Sequence, residues 1–121
     1  MMNKKQLIII AGILGFLAVS FGAFGTHTLK DQMTDGQLKV FQTGVFYHFI
    51  HTIIILIIAF SNELRFFKAA AVLAVGIILF SFSLYIYSTT NIRLFAIITP
   101  VGGFSFLIGW LLIIIEGIRQ K

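Results

Sequence analysis

Long apolar stretches alternate with short polar segments along this 121-residue chain. Each stretch approaches the ~20 residues that an α-helix needs to cross the ~30 Å hydrocarbon layer of a bilayer. The pattern predicts four membrane-spanning helices, at residues 6–25, 44–60, 69–88 and 94–116. We therefore expect a single transmembrane domain with the all-α fold of an integral membrane four-helix bundle, in which consecutive helices are antiparallel neighbours.

The polar segment between the first two spans contains a helix start. Thr34 and Gln37 have the spacing of a capping box, and Met33 and Leu38 have that of a hydrophobic staple. The second helix should therefore begin at Asp35, before the lipid, with amphipathic first turns at the membrane interface. Residues 28–32 should add another turn, which gives a short interfacial helical segment between the first two spans.

Composition and charge agree with a membrane protein. Charged residues make up 11% of the chain, against about 25% in soluble domains. Six basic residues lie on the side that both termini share and three on the other: Lys4, Lys5, Arg65, Lys68, Arg119 and Lys121, against Lys30, Lys39 and Arg93. The positive-inside bias predicts a multi-pass protein of the bacterial inner membrane with both termini in the cytoplasm.

The same features limit the partners and the chemistry. The basic residues are too dispersed for a nucleic-acid surface and are better placed to contact the head groups of membrane lipids. The chain has no cysteine, which excludes disulfides and thiolate metal sites. A cleaved signal peptide ending near Ala23 and Gly25 is an alternative for the first span, but the apolar run exceeds a usual signal sequence.

Small residues recur on one face of three helices. In lipid, close backbone approach rather than the hydrophobic effect drives helices together, and small residues permit it. We expect these faces to pack inside the monomer, with a homo-oligomer as the alternative. The residues are Ala11, Gly15, Ala18, Gly22 and Gly25, then Ala69, Gly76 and Ser83, then Gly102, Ser105 and Gly109. Gly44, Gly103 and Pro100 are further residues that we expect at helix contacts. Pro100 should also bend the fourth helix or open its first turn.

Polar side chains at membrane depth are the candidate functional residues, because such groups are costly in lipid. The candidates are His27, Thr43, Tyr47, His48, His51, Ser81, Ser83 and Thr99. Tyr47, His48 and His51 are expected in the outer half of the membrane, with His27 at a comparable level or slightly above. His48 and His51 are three residues apart and could face one metal ion, and His27 with His51 could ligate a haem. The competing interpretation is that these side chains hydrogen-bond between helices and fix their register.

Several uncommon strings occur in order along the chain. They are Gly22-Ala23-Phe24-Gly25-Thr26-His27, Gln42-Thr43-Gly44, Leu79-Phe80-Ser81 and Thr99-Pro100-Val101-Gly102-Gly103. Together they resemble the YgdD/YwdK type of small four-helix membrane proteins, an uncharacterised bacterial family with animal relatives. The sequence departs from that pattern at Thr26 and Phe82, where the family usually has Ala and Gly. The resemblance implies a four-span inner-membrane topology and no established reaction, ligand or catalytic residue.

The sequence favours a non-enzymatic protein that acts by contact with membrane lipids or other membrane proteins. No nucleophile stands beside a base and no phosphate-binding loop occurs, so we expect no catalytic residue, cofactor or bound metal. The alternative is a small oligomeric conduit or transporter for protons or a small polar solute, lined by Tyr47, His51, Ser83 and Thr99. For such a protein, residues 99–103 would form a broken helix.

Overall fold

The computed structural model of the protein describes residues 2–121, which form four helices long and apolar enough to cross a membrane. Numbered in chain order, they are α1 (Lys4–Gln32), α2 (Asp35–Ser61), α3 (Leu64–Thr90) and α4 (Arg93–Ile118). The described residues contain no strand. The all-α fold class is therefore confirmed, and each predicted span lies inside one helix.

Two of the helices change type part-way along. α1 comprises α-helix Lys4–Val19, π-helix Ser20–Gly25, α-helix Thr26–Leu29 and 3₁₀-helix Lys30–Gln32. α3 comprises 3₁₀-helix Leu64–Phe66, α-helix Phe67–Gly76, π-helix Ile77–Phe82 and α-helix Ser83–Thr90. Short π segments are rare and occur frequently at functional sites. The interfacial segment predicted after the first span is continuous with α1, because Gly25 keeps a right-handed helical conformation, with φ of −60°, and does not end the helix.

Tight links connect the helices. Asn62 and Asn91 end α2 and α3 with φ of 61° and 57°, in the left-handed region that asparagine tolerates better than most residues. At the start of α2, the Thr34 side chain accepts from the Gln37 backbone while the Gln37 side chain accepts from the Thr34 backbone. The predicted capping box is therefore confirmed.

α3 is the central helix and packs against each of the other three. The most apolar stretch of α3 is 50% buried, whereas that of α4 is 17% buried. Leu7, Ile55, Phe67, Leu73 and Ile77 form the centre of a hydrophobic core. This core fills the half of the bundle that contains the chain termini, where the Lys4 Nζ donates to the Asn62 Oδ1 at 2.6 Å.

Small residues mark the closest helix contacts. On α1, a Cβ added to Gly15, Gly22 or Gly25 would lie 3.7, 3.1 and 2.8 Å from side chains of α2, and Ala18 is fully buried. On α4, a Cβ at Gly109 would lie 2.5 Å from Leu73 of α3. These faces are therefore occupied inside the monomer.

Pro100 lies inside α4, which is assigned as one α-helix from Arg93 to Ile118. It is the eighth residue of the helix, so it does not open the first turn. The broken-helix interpretation of residues 99–103 is wrong. Membrane-spanning helices tolerate proline because neighbouring groups can satisfy the backbone carbonyl that it leaves free.

Candidate functional site

The two histidines of α2 face different helices. His48 is fully buried, and its Nδ1 lies 2.8 Å from the Tyr85 hydroxyl of α3. The Nε2 of His51 accepts a hydrogen bond from the Trp110 Nε1 of α4 at 3.1 Å. At about 100° per residue, positions three apart on an α-helix differ by about 60° in direction, which is enough to separate these partners. The alternative in which both histidines face one metal ion therefore has no support from these contacts.

The hydrogen bonds of His51 determine which of its ring nitrogens carries the proton. The Trp110 indole N–H can only donate, so the His51 Nε2 must carry a lone pair. The His51 Nδ1 must then carry the proton, which it donates to the Tyr47 backbone carbonyl at 2.7 Å. Both ring nitrogens are thereby used, and the imidazole is neutral and stacks on the Phe106 ring with centroids 3.8 Å apart.

An aromatic cluster surrounds His51 where α2, α3 and α4 meet; we define it as Tyr47, His51, Phe80, Phe106 and Trp110. The Tyr47 ring lies 4.8 Å from Phe80 and 6.0 Å from Phe106, centroid to centroid. Tyr47 does not bond to His51 through its hydroxyl, since its backbone carbonyl makes that contact. Packed rings and paired nitrogens make this cluster suited to fixing helix register.

The remaining candidate hydroxyls are dispersed. The Ser83 and Thr99 hydroxyls lie 2.7 Å apart and join α3 to α4. The Thr43 hydroxyl donates to the Lys39 carbonyl on the exposed part of α2. The Ser81 Oγ, like the His48 Nε2, is buried with no hydrogen-bond partner among the described residues. The structure therefore brings Ser83 and Thr99 together but not the whole predicted set.

The histidines lie at different heights along the bundle. His48 is the central residue of the 27-residue α2, whose first turns precede the predicted span at residues 44–60, so its location in the outer half of the membrane stays a prediction. His27 is exposed and lies two residues beyond Gly25, which packs against Phe41. From Phe41 to His51, α2 rises about 15 Å, so His27 and His51 do not form a haem-ligating pair. Among residues 2–121, no cluster of three or more His, Cys, Asp or Glu side chains could hold a metal ion.

A lateral groove of about 670 Å³ lies between α1 and α3, in the half of the bundle away from the termini. Seven residues of α1 from Leu17 to Leu29 and four of α3 from Phe82 to Thr89 line it, with Phe41 of α2 between them. The lining is apolar and aromatic except for a few hydroxyls. Phe24, which lines it, is 72% exposed, so the groove is open along its side.

Sequence reasoning missed this groove. Tyr85 is only 7% exposed, and its hydroxyl lies 2.8 Å from the His48 Nδ1. The Tyr85 ring lies 4.8 Å from Phe21 and 5.0 Å from Phe41. These rings stand between α1 and α3 and keep the two helices apart. Spacing along one helix gives no signal for such a gap.

Comparison with known proteins identifies the family. Residues 21–103 match the model of the family described as "Protein of unknown function (DUF423)". The UPF0382 inner membrane protein YgdD of Escherichia coli (strain K12) is 41% identical over 99% of this chain and 95% of its own. The chain belongs to the DUF423 family. The UPF0382 membrane protein YwdK of Bacillus subtilis (strain 168) is 39% identical over 95% of this chain and 98% of its own.

A third relative, the UPF0382 membrane protein SH2409 of Staphylococcus haemolyticus (strain JCSC1435), is 37% identical over 93% of this chain and 94% of its own. No solved structure matches the chain. The names of these relatives and the four apolar helices agree that this is a multi-pass membrane protein. The family resemblance stated from the sequence is confirmed.

Proposed function

We propose that this protein is a non-catalytic membrane protein that binds one hydrocarbon chain of a phospholipid in the groove between α1 and α3. The observation that carries the proposal is the groove itself. Its volume of about 670 Å³ falls within the range of ligand sites in proteins, ~300–1,000 Å³. Because it lies in membrane-spanning segments and is open along its side, the molecules that reach it come from the bilayer.

The length of the groove suits a lipid chain. From Leu17 to Leu29, α1 rises about 18 Å, slightly more than half of the ~30 Å hydrocarbon layer. Leu17 lies near the middle of α1, and Leu29 lies one turn from its end. A chain lying along the groove would therefore run from the bilayer centre to the head-group region, as it does in free lipid.

The outer end of the groove is polar. Thr28 and Thr89 line it there, and the neighbouring segment carries Lys30, Asp31, Asp35 and Lys39, for which the described residues show no ion pair. Two cations and two anions favour a zwitterionic head group over a strongly anionic one. We therefore commit to a zwitterionic phospholipid as the occupant.

Binding in lipid has a particular energetic basis. A chain that moves from the bilayer into the groove gains no hydrophobic free energy, because both surroundings are apolar. The gain must come from dispersion contacts with a preformed surface, at ~0.1–0.2 kcal/mol for each atom pair. The aromatic rings of Phe21, Phe41 and Tyr85 supply a rigid surface of this kind, since they are packed against one another.

The charge distribution supports a cytoplasmic location for both termini, in the inner membrane of a bacterium. The bond between Lys4 and Asn62 brings the start of α1 to the α2–α3 link, so both basic segments share one side. The groove then opens into the outer leaflet. Single cysteines at Gln120 and Gln32, added to a chain with no native thiol, should react with a membrane-impermeant maleimide in intact cells only at residue 32. The reverse pattern would overturn the orientation.

The conduit alternative has less support. His51 uses both ring nitrogens, and Ser83 and Thr99 bond to each other. A proton or solute path through them would first have to break these contacts. The proposed homo-oligomer, and contacts with other membrane proteins, would have to use lipid-facing residues, because the glycine faces pack inside the monomer. The mass of the protein in nanodiscs tests the oligomer, and a monomer at every concentration would refute it.

Blocking the groove tests the lipid proposal. Ser20 lines the groove, whereas Ala23 is exposed on α1 and does not. Ser20→Phe should therefore displace a co-purified phospholipid, and Ala23→Phe should retain it. Native mass spectrometry of the detergent-solubilised protein, with phosphatidylethanolamine added back after delipidation, measures this. Equal retention by both variants, or no retention by the wild type, would refute the proposal.

A further inference from the structure

We infer that Lys4 and Lys5, at the start of α1, bind the phosphate of an anionic phospholipid. The two lysines line a shallow hollow of about 510 Å³ together with Ile8 and Ile9. This hollow lies in the half of the bundle that contains the termini, at the opposite end of α1 from the groove. It is a second site, and it does not depend on the lipid proposed for the groove.

The Lys4 side chain is held in place by two neutral groups of α2 and the link that follows it. Its Nζ donates to the Asn62 Oδ1 at 2.6 Å. The same nitrogen lies 5.8 Å from the centre of the Phe60 ring, within the ~6 Å range of cation–π contacts. A lysine ammonium has three hydrogen-bond donors, and the described residues use one of them. Two donors therefore remain for a ligand, on a side chain that is already half-buried.

Among residues 2–121, no acidic side chain pairs with these two lysines. Of the four acidic residues in the chain, two lie near the link between α1 and α2, at the other end of the bundle. Glu63 and Glu116 lie on the same side as the lysines, but each forms an ion pair with an arginine, at 3.1 and 3.2 Å. The positive charge of the hollow is therefore left for an external anion.

The apolar part of the hollow favours a lipid over a free anion. Each lysine is followed four residues later by an isoleucine, on the same helix face and about 6 Å deeper in the membrane. Ile9 is 51% exposed, so its side chain is open to an acyl chain. A lipid whose phosphate binds the lysines therefore also makes hydrocarbon contacts, which a soluble anion lacks.

The charge of the hollow favours an anionic head group over a zwitterionic one. A zwitterionic head group would bring its own ammonium group close to both lysines, whereas an anionic one adds no positive charge. Basic residues near the surface of an anionic membrane each contribute ~1 kcal/mol to binding, which is about fivefold in affinity. On the orientation proposed above, this lipid belongs to the inner leaflet, while the groove opens into the outer one.

The experiment measures how delipidated protein binds phosphatidylglycerol, relative to phosphatidylethanolamine with the same chains, by native mass spectrometry. Wild type should prefer phosphatidylglycerol. Lys4→Gln and Lys5→Gln should each weaken this preference about fivefold. Lys5 is exposed, so its replacement disturbs no packing and keeps the test valid if Lys4→Gln does not fold. Lys68→Gln is the charge-matched control and should keep the wild-type preference, because Lys68 lies on the same side of the membrane but outside the hollow.

Asn62→Gly distinguishes a specific site from general attraction to a basic surface. Asn62 has φ of 61°, which glycine adopts readily, so the turn is kept while the Oδ1 that holds Lys4 is lost. The net charge does not change. Ordering a freed lysine side chain costs ~0.5–1.5 kcal/mol, so Asn62→Gly should weaken binding of phosphatidylglycerol about two- to tenfold.

Four results would overturn the inference. Equal binding of the two lipids by the wild type would remove the anionic preference, and unchanged binding in Asn62→Gly would leave only general surface charge. Displacement of the lipid by millimolar inorganic phosphate would show that the lysines take a free anion. Loss of phosphatidylglycerol in Ser20→Phe would place that lipid in the groove instead. Failure of the groove to bind phosphatidylethanolamine would refute the proposed function and leave this site unaffected.

Discussion

The contact between α3 and α4 predicts that alanine substitutions at two adjacent glycines have opposite effects on stability. A Cβ at Gly102 would lie 2.6 Å from the backbone of Leu79 and Phe80 on α3. A Cβ at Gly103 would meet only the Phe80 side chain, at 3.9 Å. Gly102→Ala should therefore force the two helices apart, and Gly103→Ala should fit without movement.

The magnitude follows from three terms. Overpacking costs ~1–3 kcal/mol, and at Gly102 the obstacle is backbone, which cannot change rotamer. Separating the helices also weakens the Ser83–Thr99 hydrogen bond and the bond from Ser105 to the Val72 carbonyl, one turn to either side, at ~0.6 kcal/mol each. Alanine offsets about 1 kcal/mol through helix propensity. Gly102→Ala should thus lower the free energy of unfolding by about 1–3 kcal/mol, and Gly103→Ala should raise it by about 0.5–1 kcal/mol.

The chain offers a built-in reporter for this comparison. Trp110 is the single tryptophan, and it joins α4 to α2 through His51. Its fluorescence during titration with sodium dodecyl sulfate in mixed micelles should follow the detachment of α4, with far-ultraviolet circular dichroism as a second measurement. A Gly102→Ala midpoint equal to or above that of Gly103→Ala would refute the close approach of the two backbones.

Two further predictions concern hydrogen bonds. Trp110→Phe should cost ~0.6–1.7 kcal/mol of stability, measured by circular dichroism in the same titration, and ¹⁵N NMR should find the His51 proton on Nδ1; a proton on Nε2 would contradict the bond from Trp110. Thr34→Ala should cost ~1 kcal/mol and speed hydrogen exchange of the Gln37 amide, whereas Thr34→Asp should restore its protection; unchanged exchange in Thr34→Ala would show that the cap is not formed.

Much of the fold follows from local patterns. The apolar runs place the four helices, and the spacing of Thr34 and Gln37 places the start of α2 correctly. Glu116 and Arg119, three residues apart, likewise form an ion pair at 3.2 Å. These features depend on residues three or four apart on one helix, whose relative directions are fixed by helix geometry.

The candidate site was less predictable because it depends on contacts between helices. His48 and His51 share a side of α2, yet their partners are Tyr85 and Trp110, 37 and 59 residues away. The position of Gly25 after an apolar run suggests that a helix ends there. Instead, its lack of a side chain allows the Phe41 ring to approach α1. Spacing within one helix contains no information on which aromatic ring of another helix fills the adjacent space.

The groove follows from the way the aromatic rings are distributed between the two halves of the bundle. In the half that contains the termini, Leu7, Leu73 and Ile77 fill the space between α1 and α3. In the other half, Gly25 and Gly44 accept the rings of Phe41 and Tyr85, which brings α2 close to its neighbours but places two large side chains between α1 and α3. Those helices cannot close over the rings without a clash, so an open groove remains wherever the rings stand. The open groove is therefore a direct consequence of the same glycine contacts that hold α2 in place.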